Sequence, residues 1–177
     1  KGARDLAILR LMGDRGLRRG EVCNLDLCDV DFLRKGVWVR GKGRKEKEFL
    51  CLAGPTLAAL GAWIEYRDKE GGPLFWTMAR NRQWRNARHG RKSETRGRMC
   101  GRDIGFLVER YGYQAQGPKV RPHGLRHTVI TEALDKSNDL RAVQKFARHR
   151  SPATTILYDD NRKGLAERIT RLVVNDE

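Results

Sequence analysis

Apolar positions recur at helical spacing at the start of the chain, where Leu6, Leu9, Leu11 and Met12 predict a helix over residues 3–14. The turn Gly16-Leu17-Arg18 then opens a second short helix that runs through Leu25. From Asp29 to Leu52 the period changes to two: Val30 with Phe32, Val37 with Val39, and Phe49 with Cys51, punctuated by Lys35-Gly36 and Gly41-Lys42-Gly43. That pattern predicts a small antiparallel meander. Pro55 starts a helix with Leu57, Leu60 and Ile64 on one face, ended by Gly71-Gly72-Pro73 and followed by a short apolar stretch, Leu74 to Trp76.

The remainder reads as helical. After Pro122 one helix turns Leu125, Val129 and Ala133 inward, a second is centred on Leu140, Val143 and Ala147, and Ser151-Pro152 has the form of an N-cap followed by proline at the first helical position. Leu165, Ile169 and Leu172 predict a final amphipathic helix. There is neither an internal repeat nor a long Gly/Ser or Pro linker, so the expected fold class is α+β: a mostly helical domain over residues 1–177 with a small three-stranded antiparallel sheet.

Charge narrows the function. Lys and Arg number 37 against 22 Asp and Glu, a net charge of +15. That excess fits a polyanionic partner: nucleic acid foremost, with an anionic membrane or a ribosomal role as other readings. No apolar run reaches the roughly 20 residues of a membrane span and the first residues do not resemble a signal peptide, so a soluble, cytoplasmic, DNA-associated protein is expected. Between Ala79 and Arg102 an aperiodic stretch holds Arg80, Arg82, Arg85, Arg88, Arg91, Lys92, Arg96 and Arg98 around Trp84, a predicted basic loop that either tracks a DNA strand or is a disordered, solvated segment. The cysteines, Cys23, Cys28, Cys51 and Cys100, lack a Cys-x-x-Cys pair and read as reduced structural thiols, with neither disulfide nor zinc expected.

The most informative segment is His123-Gly124-Leu125-Arg126-His127. Positions three apart share a helix face, so His123 and Arg126 are able to address one phosphate. His123 and His127 also have the i, i+4 spacing of zinc-binding helices, but the glutamate of such a site is absent and the cationic Arg126 between them opposes a dication. Gly41-Lys42-Gly43 lacks the frame of a nucleotide-binding loop. Further on, Arg148-His149-Arg150-Ser151-Pro152 precedes Thr154-Thr155-Ile156-Leu157-Tyr158, with the tyrosine nine positions after the histidine.

Together with Gly16-Leu17-Arg18-Arg19-Gly20-Glu21 and Gly41-Lys42-Gly43-Arg44-Lys45, this set resembles the catalytic domain of the tyrosine recombinase (phage integrase) family. The family pattern is an arginine after Gly-Leu, a lysine in a β-turn, His-x-x-Arg, a second histidine and a tyrosine about nine residues on. Here those positions read Arg18, Lys42, His123, Arg126, His149 and Tyr158, in order along nearly the whole chain. One departure is Arg148, where the family often has glycine. Another is the family's N-terminal helical domain, which completes a clamp on DNA and lies outside this chain.

The resemblance implies a site-specific recombinase or integrase that forms a 3′-phosphotyrosine on double-stranded DNA and exchanges strands through a Holliday junction within a tetramer, with no cofactor and no metal. Tyr158 would be the nucleophile, assisted by His123; Lys42 the acid for the departing 5′ oxygen; and Arg18, Arg126 and His149 the donors to the phosphate. The residue chemistry suits these roles. Guanidinium stays protonated and presents paired donors to nonbridging oxygens, and a phenol sheds its proton near neutral pH only beside a base or cations. Glu21, three residues past Arg18, would orient that arginine. Tyr66, Tyr111 and Tyr113 lack the required interval from a histidine beyond the His-x-x-Arg helix and read as packing residues. Leu165, Ile169 and Leu172 would dock on a neighbouring subunit or pack on their own domain. Two other functions fit the same residues: type IB topoisomerase-like relaxation, which rejoins the same strand, and a DNA-binding module whose catalysis has decayed.

Overall fold

A computed structural model describes residues 2–67, 71–77, 97–116, 119–137 and 139–160. Tertiary contacts divide the chain into two compact units, Lys1–Arg126 and His127–Glu177.

In the first unit, α1 (Gly2–Gly13) packs against α3 (Gly54–Tyr66), and between them in sequence come α2 (Arg19–Cys23), a single 3-10 turn (Leu27–Asp29) and the strands β1 (Val30–Asp31), β2 (Gly36–Arg40) and β3 (Lys47–Cys51). The strands form one antiparallel sheet in the order β1-β2-β3, with Val37 opposite Leu50 and Trp38 opposite Phe49. The fold class is therefore the expected one, mostly helical with a three-stranded antiparallel sheet.

The side that faces the core differs from the simple periodic reading at three places. In α1 the buried positions are Arg4, Asp5, Ala7, Ile8, Leu11 and Met12, while Leu6 is exposed. The charged pair is tolerated because Asp5 accepts from Arg4, from Arg110 at 2.6 Å and from the Tyr111 hydroxyl at 3.2 Å, so its carboxylate enters the core fully hydrogen-bonded. In β3 the residue that enters the core is Leu50; Phe49 lies on the outer face, its ring 5.2 Å from Trp38 and beneath the Arg34 guanidinium at 4.6 Å. Gly36 is required beneath that ring, since a Cβ there would collide with it. Phe32 sits in the turn after β1 and is exposed.

Leu74, Phe75 and Trp76 are buried, and Trp63 of α3 donates its indole N–H to the Leu74 carbonyl at 2.9 Å. Trp76 forms an isolated bridge with Arg98, whose guanidinium donates to the carbonyls of Cys23 and Leu25 and pairs with Asp26. Arg98 is thus a structural clamp rather than part of a basic loop, and Arg102 lies within α4 (Gly101–Gln114). The other predicted loop arginines, Arg80 to Arg96, and Trp84 lie outside the described residues. All four cysteines are free, but only Cys23 is buried as a structural thiol would be; Cys28, Cys51 and Cys100 are exposed. Burial pushes the Cys23 thiol up to about 11, aided by the nearby Cys100 and Asp103, which keeps it protonated and unreactive.

The division between the units falls inside α5 (Pro122–Ser137). In the second unit Ile130, Leu134, Val143, Ala147 and Tyr158 form one buried cluster drawn from α5, α6 (Leu140–Ala147) and α7 (Pro152–Asp160). Asp139 caps α6 by accepting from the Ala142 N–H at 2.9 Å, and Pro152 opens α7 as expected. The predicted helix through Leu165, Ile169 and Leu172 lies outside the described residues. Among the described residues no helix is long and apolar enough to cross a membrane.

Candidate active site

Gly16, at φ +67°, makes the reversal between α1 and α2, a left-handed conformation that favours glycine. Two residues on, Arg18 is the N-cap of α2. Buried Glu21 holds it twice, accepting from the Arg18 backbone N–H at 2.8 Å and from Nη1 at 2.9 Å. One carboxylate thus caps the helix and fixes the arginine, as the sequence spacing suggested. Arg126, only 3 % exposed, donates Nη1 to the Gly16 carbonyl, so the turn that carries Arg18 also anchors the second arginine.

Lys42 sits at the tip of the β2–β3 hairpin. The Arg44 N–H closes the turn on the Gly41 carbonyl at 3.1 Å, and Gly43 takes the positive φ of +74° at its third position. His123 is in the first turn of α5, exposed. Arg18, Lys42, His123 and Arg126 all line one cavity of about 900 Å³. Arg19, Arg40, Arg44 and Arg121 line it too, so seven Arg and Lys side chains face two carboxylates, Glu21 and Glu109. With Glu21 committed to Arg18, the cavity is strongly positive, and its chemistry suits a phosphate or a strand of phosphates.

Sequence reasoning had not singled out the four additional arginines or Glu109 as site residues. Arg40, Arg44 and Arg121 flank the Gly-Lys-Gly turn and His123 by only one or two residues, a signal that was available. Glu109 comes from α4, far along the chain, and carried none.

His149 and Tyr158 belong to the second unit. Arg148 ends α6 in the left-handed conformation, φ 56° and ψ 42°. Its N–H reaches the Lys145 carbonyl and that of His149 the Gln144 carbonyl, each at 3.1 Å, which is a complete Schellman closure. Arginine therefore adopts the backbone that glycine would supply, and His149 keeps a defined place. The His149 Nδ1 lies 2.9 Å from the hydroxyl of Thr155, which is fully buried. The Tyr158 ring, 8 % exposed, stacks on the His149 ring at 5.4 Å between centroids and tilts against His127 at 4.8 Å. His127, weighed in the sequence only as a zinc ligand, is thus a ring partner of the tyrosine. Among the described residues no cluster of His, Cys, Asp and Glu is composed to hold a metal ion.

The sequence model of the phage integrase family matches residues 1–164. The chain belongs to the phage integrase family. Among curated relatives of this integrase-family chain, tyrosine recombinase slr0733 of Synechocystis is 37% identical over 180 residues, 99% of this chain and 53% of that protein. Tyrosine recombinase XerC of Haemophilus ducreyi is 37% identical over 88% of this chain and 47% of its own length. The chain spans about half the length of these relatives. A crystal structure of XerA recombinase superposes with a TM-score of 0.76 at 27% identity, covering 99% of this chain and 59% of that one. The fold also matches XerH recombinase bound to palindromic difH substrate in a post-cleavage complex, with a TM-score of 0.71 at 22% identity, over 95% of this chain and 45% of that one.

Proposed function

We propose that this chain is the catalytic domain of a site-specific DNA recombinase that cuts and rejoins double-stranded DNA through a covalent 3′-phosphotyrosine. The observation that carries the reading is the cavity in which Arg18, Lys42, His123 and Arg126 line one strongly positive wall set. Arg18 and Arg126 donate to the nonbridging oxygens of the scissile phosphate and stabilise the charge that builds there; His149 adds a third donor. The Tyr158 hydroxyl oxygen forms a bond to phosphorus as the bond from phosphorus to the 5′ oxygen breaks. The phenol proton passes to His123, and Lys42 gives a proton to the departing 5′ oxygen. Attack by the 5′-hydroxyl of another strand reverses each transfer.

The phosphotyrosine keeps the energy of the broken phosphodiester, and the guanidinium groups supply the positive charge, so the reaction needs neither a nucleoside triphosphate nor a metal. In this reading the protein works on DNA in the cytoplasm, in a tetramer that passes through a Holliday junction. The test is a denaturing gel of the protein with nicked duplex DNA of randomised sequence, beside Tyr158→Phe. A metal-independent adduct that the variant cannot form supports the reading, and rejoining to a second duplex separates recombination from relaxation of one strand. DNA binding without any adduct from the intact protein would overturn it in favour of a binding module.

A further inference from the structure

Tyrosine has two soft side-chain torsions, so a nucleophilic phenol needs something to fix the direction of its hydroxyl. In the second unit the apolar cluster of Ile130, Leu134, Val143 and Ala147 holds the body of the Tyr158 ring. Two imidazoles also lie against it, His127 from α5 and His149 from the segment between α6 and α7. His149 is held by Thr155 at 2.9 Å, one turn before Tyr158 on α7. His127 comes from α5, half-buried, with its Nδ1 3.5 Å from the Thr131 hydroxyl one turn further along the same helix. Of the two rings His127 is the nearer to Tyr158, at 4.8 Å between centroids with 38° between planes, a tilted arrangement that aromatic rings favour.

We propose that His127 is a positioning residue for Tyr158: its ring, tilted against the phenol, sets the direction in which the nucleophilic oxygen points. The inference rests on the recombinase reading for the meaning of that direction, since it is there that Tyr158 attacks phosphorus. It assigns to His127 no contact with DNA and no proton. What matters is the flat ring, because an aromatic neighbour restricts the tyrosine torsions that the aliphatic cluster leaves open, and small misplacements of a nucleophile cost orders of magnitude in rate.

The experiment compares His127→Ala and His127→Phe in the intact protein. Three quantities are read: the single-turnover rate of covalent adduct formation, DNA affinity under the same conditions, and the 19F resonance of 3-fluorotyrosine at position 158, identified by its disappearance in Tyr158→Phe. His127→Ala is expected to slow adduct formation about 10-fold to 100-fold with DNA affinity unchanged. His127→Phe, which keeps a ring, is expected to recover most of that rate, and the 19F signal should shift and narrow in the alanine variant alone. An alanine variant as fast as the parent, or a phenylalanine variant as slow as alanine, overturns the proposal. If the parent itself forms no adduct, the recombinase reading fails separately; the 19F signal then decides the positioning, supporting it if the resonance moves in His127→Ala and not in His127→Phe, and overturning it otherwise.

Discussion

Around the cavity of the first unit, Lys42 and His123 are exposed and Arg18 keeps about a third of its side-chain surface in contact with solvent; in the second unit, His149 and Tyr158 are each 8 % exposed and pack in or beside an apolar cluster. The two groups are held by different physics. Cations meant for a polyanion gain by staying hydrated until the ligand arrives, because an unpaired buried charge carries a desolvation cost of several kcal/mol. They are placed by backbone features: the Gly16 reversal, the Glu21 cap and the Gly41–Arg44 turn. A phenol needs no such hydration and loses little by burial, so packing is free to orient it. Substitutions in the first group should therefore act on binding and rate with small effects on folding, whereas those in the second should touch stability as well.

Arg126 strains that division most, being a cavity residue that is nearly buried. On the proposed reading Arg126→Ala removes a phosphate donor, and it also leaves the Gly16 carbonyl without this bond, so we expect a loss of about 100-fold to 1,000-fold in adduct formation together with about 1–3 kcal/mol of stability. Single-turnover kinetics and denaturant unfolding measure the two effects; a rate loss with no change in stability would show that the Gly16 contact is dispensable. A smaller effect sharpens the contrast. Arg40 and Arg121 are exposed on the cavity wall, and replacing both with glutamine should reduce the slope of log affinity against log salt by about 2, with folding unaltered. Fluorescence anisotropy across a salt series reads this, and an unchanged slope would place both arginines off the DNA path.

The smallest expected effect belongs to the second unit. Arg148→Gly relieves the left-handed backbone at the end of α6 and should raise stability by at most about 1 kcal/mol, seen as a small upward shift in thermal midpoint, with adduct formation unchanged because the Schellman closure already holds His149 in place. A change in rate would mean that the arginine side chain itself acts at the site.

Element type was legible where local chemistry dominates. Period-two runs around glycine turns marked β2 and β3, and a proline in the first helical turn marked α3 and α7. Facing was less so. Phe49 and Cys51 alternate as a core face would, yet Leu50 is the buried one, because the Trp38–Phe49 pair and Arg34 make an apolar surface on the outside of the sheet. Likewise Leu6 is exposed while Asp5 is buried, since hydrogen bonds from Arg4, Arg110 and Tyr111 offset the desolvation of its carboxylate.

By itself the sequence determined the chemistry available: a basic chain, a helical His-x-x-Arg motif, a lysine in a glycine turn and a tyrosine nine residues past a histidine. Those features are local, and short-range spacing constrains them whatever the rest of the chain does. Only the tertiary structure decided the company each residue keeps. That Arg126 rests on the Gly16 carbonyl 110 residues earlier, that Arg121 and Glu109 share a cavity with Lys42, and that His127 lies against Tyr158 are contacts between positions far apart along the chain. Such contacts depend on how whole elements pack, which no local pattern encodes.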